Sequence, residues 1–211
     1  MIYFDNAATT LQKPASVSKA MSKAPNSFAS PGRGGHNAAA KAAELAFDCR
    51  RLAASYFNVP SPENIVFTLN ATHALNIAIH ALSKPDKRTV ISGYEHNSVY
   101  RPVTASGAEV SVARGTLFDK NSVLNAFDDK LNSGTSLCVV NHVSNVFGFI
   151  QPVEKISELC RERGIPLIID ASQSAGAIPI DFSALGAEYI AMPGHKGLYG
   201  PQGTGLLLCK D

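Results

Sequence analysis

The sequence predicts an α/β fold: a mostly parallel seven-stranded sheet with helices on both faces. Three observations carry this. Apolar runs of strand length alternate with stretches of helical periodicity, the pattern of a sheet built from crossover units. Small and polar residues cluster just after those runs, as they do at the carboxyl edge of such a sheet. The final two runs, 187–192 and 205–209, have only a glycine-rich loop between them, so that pair is expected to be antiparallel.

Composition narrows the function. The 211 residues suffice for one large domain or two small ones. With 45% hydrophobic and 17% charged residues, the balance is that of an ordinary globular chain. A net charge of +2 and the lack of a long basic run argue against nucleic acid as a partner. The apolar runs are too short to cross a membrane, and Met1 to Asp5 lacks the basic and apolar regions of a secretory signal. The cysteines (Cys49, Cys138, Cys160 and Cys209) have no metal-type spacing, and Cys138 and Cys209 are expected to be core thiols. A reducing, cytoplasmic setting is expected.

Along the chain, residues 1–14 read as a leading segment and loop, with 15–211 as the large domain. Pro14 to Lys23 has helical character. Residues 25–36 form a long loop carrying Arg33-Gly34-Gly35-His36, and loops of that length are more often functional or interfacial than idle. Over 37–57, Ala42, Leu45, Ala46, Cys49, Leu52, Ala53 and Phe57 recur at helical spacing and predict a long helix with an apolar stripe. Residues 65–68 form a strand, and 73–82 a helix with little charge, hence buried. Strands follow at 89–92 and 109–113, a helix at 121–131 and a strand at 136–140. Pro152 to Arg163 is an amphipathic helix stopped by Gly164, and the strand after it ends at Asp170.

The candidate site is the set of polar residues that follow strands: Thr72, His96, Asn145, Asp170, Gln173 and Lys196. Each has an ordinary reading. Thr72 can be a helix cap, His96 a structural histidine, and Asn145 and Gln173 loop amides that satisfy turns. Asp170 can cap a helix, but a carboxylate ending an apolar run is costly unless paired. If its strand and that before Lys196 are parallel neighbours, amine and carboxylate open into one crevice. Such a pair suits pyridoxal phosphate (PLP), where a lysine forms a Schiff base and an acid keeps the pyridine nitrogen protonated. No dinucleotide fingerprint, phosphate-binding loop or metal signature competes: Gly200, Gly203 and Gly205 do not open a helix after a strand.

These residues sit in stretches that resemble the class V aminotransferases, and within them the cysteine desulfurase and selenocysteine lyase group. The stretches are Tyr3-Phe4-Asp5-Asn6-Ala7-Ala8-Thr9-Thr10, Arg33-Gly34-Gly35-His36, Asn70-Ala71-Thr72-His73, Glu95-His96-Asn97-Ser98, His142-Val143-Ser144-Asn145, Asp170-Ala171-Ser172-Gln173 and Gly194-His195-Lys196-Gly197. The resemblance implies that Lys196 holds PLP and moves the Cα proton of an amino acid. It implies that Asp170 binds the ring nitrogen, His96 stacks on the ring and assists proton transfer, and Gln173 and Asn145 contact the ring hydroxyl or substrate. It further implies Ala71, Thr72 and His195 at the phosphate, Ala8, Asn145 and Arg33 near the substrate, a homodimer with Arg33 to His36 at its interface, and a sulfur-acceptor protein. Where the family usually has serine, this chain has Pro193, which removes one phosphate donor. Family members are longer, so the expectation is a large domain without its C-terminal small domain. A desulfurase is expected, with another PLP reaction of the family or a non-catalytic assembly module as alternatives.

Overall fold

The computed structural model describes residues 2–210. The strands are β1 (Ile65–Thr68), β2 (Arg88–Ser92), β3 (Glu109–Ala113), β4 (Thr135–Asn141), β5 (Leu167–Asp170), β6 (Tyr189–Pro193) and β7 (Gly205–Cys209). They form one seven-stranded sheet of order β1-β7-β6-β5-β4-β2-β3. β7 runs antiparallel to both its neighbours, and the other pairings are parallel. The carboxyl ends of β1, β2, β4, β5 and β6 therefore share one edge.

The α-helices are α1 (Ala15–Lys23), α2 (Asn37–Phe57), α3 (Ala71–Leu82), α4 (Asn97–Ala105), α5 (Lys120–Lys130), α6 (Val153–Glu162) and α7 (Phe182–Leu185). Strand residues alternate between two apolar layers. Cys138, Val140, Leu167, Ile169, Ile190 and Met192 face a core shared with α2, α5, α6 and α7. Leu137, Val139, Ile168 and Ala191 face a second core with α3 and α4. Burial on both faces explains why the strands read as unbroken apolar runs. α6 ends as its sequence dictates: Gly164 takes φ +64°, and the Ile165 amide reaches back to the Cys160 carbonyl at 2.9 Å.

Three details differ from the sequence reading. The stripe on α2 is mostly uncovered: Ala53, Ala54 and Phe57 are buried, but Leu45 is 52% and Leu52 67% exposed, and Cys49 is also exposed. Only the C-terminal turns of this helix pack on the sheet. Helix α4 was not anticipated, because Pro102 lies inside it; Val99, Pro102 and Val103 are buried where α4 packs on α3, and packing overrides the proline's cost. Cys209 is half-buried rather than a core thiol, whereas Cys138 is buried as expected.

The loops that follow β5 and β6 touch backbone to backbone. A Cβ on Gly176 would overlap the Gly197 carbonyl, and one on Gly197 would overlap the Ala175 carbonyl. Gly176 also has φ +79°. Gly176→Ala should therefore cost clash as well as conformation, about 2–4 kcal/mol. Gly164→Ala, at positive φ but with open space around it, should cost only about 1–2 kcal/mol. Paired denaturant titrations check this; equal losses would mean the loop contact contributes nothing.

Candidate active site

A cavity of about 400 Å³ opens at the carboxyl edge, within the usual range for small-molecule sites. Ala71, Thr72, His96, Asn145, Asp170, Gln173, His195 and Lys196 line it, as does Ala8. Arg33 does not; it lies in the exposed loop before α2.

The ends of β1 and α3 supply one wall. Thr72 is not the helix cap: the Asn70 side chain takes that role, accepting from the His73 amide at 2.8 Å. The amides of Ala71 and Thr72 lie at the positive end of the helix, and both residues line the cavity. His96 caps α4. Its Nδ1 accepts from the Ser98 amide at 3.1 Å, and since an amide can only donate, the ring proton of neutral His96 sits on Nε2. The structural reading of His96 and its place on the cavity thus hold together.

Asp170 and Lys196 stand at the ends of adjacent strands. Asp170 is 4% exposed and accepts from the Ser172 amide at 2.8 Å and from the Ser172 hydroxyl. It shapes a tight turn and caps no helix. Burial raises its pKa, against the pull of the Ser172 bonds, Lys196 and His96. Burial also lowers that of Lys196, against the pull of Asp170. Each group is thus pushed towards its neutral form despite the other, because desolvation outweighs their attraction.

The sequence reading missed two supports. The first is the leading segment. It lies as a strap across the lysine loop, with the Thr10 amide on the His195 carbonyl (3.2 Å) and the Thr10 hydroxyl on the Lys196 carbonyl (2.9 Å). The Thr9 hydroxyl lies within hydrogen-bond distance of both the carbonyl and Nδ1 of His195, and Gln173 donates to the Ala7 carbonyl at 3.0 Å. Its polar residues carry no periodicity, so only their small size and hydroxyls hinted at it.

The second support is Glu95. One of its oxygens accepts from the Asn141 amide at 2.8 Å and from the Ser92 hydroxyl. The other is buried without a partner. Gln151, fully buried, donates to the Ser92 hydroxyl at 3.1 Å and to the Asn141 backbone carbonyl at 2.8 Å. The cluster ties the ends of β2 and β4 together beneath the cavity. Burial, and secondarily the Asp170 charge, push the Glu95 pKa from 4.5 to about 8.

The family model for class-V aminotransferases matches residues 2–211. A probable cysteine desulfurase of Mycolicibacterium paratuberculosis is 37% identical over 217 residues, covering 98% of this chain and 31% of its own length. The cysteine desulfurase IscS of Shewanella denitrificans is 36% identical, covering 98% and 52%. The apo structure of a cysteine desulfurase from Thermococcus onnurineus NA1 superposes with a TM-score of 0.90 at 32% identity, covering all of this chain and 54% of the other. The chain thus spans about half the length of these relatives, and less of the first.

The chemistry of the lining fits PLP. Helix amides beside His195 suit a phosphate. A buried carboxylate pushed towards neutrality suits a cationic ring nitrogen, and a half-buried amine pushed towards neutrality suits a carbonyl carbon. Pro193 lines the cavity and brings no donor.

The Glu95 shift carries a sign. Between pH 4.5 and about 8 the unfolded chain releases a proton that the folded chain keeps, so this group's contribution to stability falls as pH rises through that window. The slope should approach about 1.4 kcal/mol per pH unit. Glu95→Gln should flatten it, read from guanidinium melts at pH 5 and pH 8; an unchanged slope would mean Glu95 is ionised in the folded chain.

Proposed function

The chain belongs to the class-V aminotransferase family, and on that footing we propose that it binds PLP and acts on an amino acid, as a cysteine desulfurase. The observation that carries this reading is the placement of Asp170 and Lys196 on one cavity beside a helix N-terminus and His195. Lys196 would hold PLP, Asp170 its ring nitrogen, and Ala71, Thr72 and His195 its phosphate. His96 would lie against the ring. One N–H of Gln173 is committed to Ala7, which leaves its other N–H and its oxygen for the ring hydroxyl. Once bound, PLP supplies an electron sink that stabilises negative charge at the Cα of the substrate.

The protein's own residues do the rest. The lowered pKa of Lys196 keeps a larger fraction of Nζ unprotonated, able to take the Cα proton. His96, with its Nδ1 committed to the α4 cap, offers Nε2 for proton transfer. Ala8 and Asn145, which also line the cavity, would meet the substrate. Overall, cysteine and a thiol would give alanine and a persulfide, with the sulfur passing to an acceptor protein or an added thiol. The exposed Leu45, Leu52 and Tyr56 on α2 support a homodimer, through which Arg33, in the loop that leads into α2, would approach a partner copy's site.

Added PLP should produce a visible absorption band, and borohydride should fix the label on Lys196. Lys196→Ala should abolish the label and lower alanine and sulfide release from cysteine by at least about 10³-fold. A protein that stays colourless in excess PLP would sink the cofactor assignment. A coloured one that releases alanine no faster than Lys196→Ala would sink the desulfurase reading alone.

A further inference from the structure

His195 is the one proposed phosphate ligand whose usefulness depends on where a proton sits. Burial, Lys196 and Lys13 all lower its pKa, which favours the neutral ring with a single N–H. That N–H serves an anion only if it is on the nitrogen that faces the ligand.

The strap decides the matter. Nδ1 of His195 lies 3.0 Å from the Thr9 hydroxyl, which leaves Nε2 as the ring nitrogen without a partner among the described residues. The Thr9 hydroxyl is also 3.2 Å from the His195 carbonyl, but it has one hydrogen and cannot donate to both. The carbonyl does not need it. The Thr10 amide donates there at 3.2 Å and the Lys13 ammonium at 3.4 Å, and two donors fill its two lone pairs. Nδ1 has no other partner. The opposite arrangement, Thr9 donating to the carbonyl and receiving from Nδ1, would put three donors on one carbonyl oxygen; with Thr10 and Lys13 already there, the Thr9 hydrogen goes to Nδ1.

We propose that Thr9 is a positioning residue: its hydroxyl donates to Nδ1 of His195, places the ring proton on Nε2, and so makes His195 a hydrogen-bond donor to the phosphate of PLP. Ala71 and Thr72 then offer amides and His195 an N–H, three donors of one kind around one anion. Swapping the tautomer would instead point a lone pair at the phosphate. The inference deepens the proposed function and rests on the cavity being a PLP site.

The test is a ¹⁵N spectrum of the histidine rings in the full chain, with His195 assigned by its loss in His195→Gln, beside a PLP titration. The expected result is a proton on Nε2 both before and after PLP is added. Thr9→Val should mix the tautomers and weaken PLP binding about tenfold, the range for a lost hydrogen bond to a charged group. Thr9→Ser should restore both. Thr10→Val, which loses only the bond to the Lys196 carbonyl, should leave the tautomer unchanged. A proton on Nδ1 in the unaltered protein would overturn the proposal, as would Thr9→Val with unaltered tautomer and affinity. The unaltered protein's spectrum requires no variant to fold. If the unaltered protein takes up no PLP, the functional reading falls, and the tautomer in the ligand-free protein still decides for or against Thr9.

Discussion

Everything at the carboxyl edge depends on one uncomfortable pairing, a carboxylate and an amine that are both desolvated and both pushed towards neutrality. Burial pushes Asp170 up and Lys196 down, each against the attraction of the other. Asp170 is held buried at the end of β5, with cores packed on both sheet faces, and Lys196 is half-buried on the cavity beside it. The fold thus spends stability to keep two reactive groups available, a common arrangement at functional sites.

Several features exist to hold that pair. The Gly176–Gly197 contact locks the loops after β5 and β6 together with no side chain between them. The Ser172 bonds to Asp170 and the Glu95–Asn141–Gln151 cluster fix the strand ends from beneath. The cluster is built around a carboxyl whose pKa burial pushes up to about 8, which favours its neutral form beside Asp170. Two acids lie near each other, and burial raises the pKa of both while lifting Glu95 to about 8, so their environments set them apart.

Much of this was legible in the chain itself. The buried strands announced themselves as apolar runs, and the loop between 193 and 205 gave the antiparallel β6–β7 pair. The wall residues from Thr72 to Lys196 were visible because each follows a strand. What escaped notice had no periodic signal. Helix α4 hid behind Pro102, which local propensity counts against and packing tolerates. The α2 stripe showed helical spacing truthfully, yet spacing says which residues share a face and not whether anything covers it. Nothing in the sequence around Glu95 marks its carboxyl as buried, because burial of a single carboxyl is a property of the strand ends around it. Thr9 and Thr10 were silent because their partners lie far away in sequence.

That last distance has a temporal side. The strap's bonds join residues 186 positions apart, so no local segment can form them alone. Closing so long a loop carries a large entropic cost, repaid only after the sheet has brought both ends to one edge. The strap should therefore close late in folding, after β5 and β6 have paired. Until then the chain can be compact, with its sheet complete, and still have a lysine loop that nothing pins. Competence to hold a cofactor would be the last property acquired and, on partial unfolding, the first one lost.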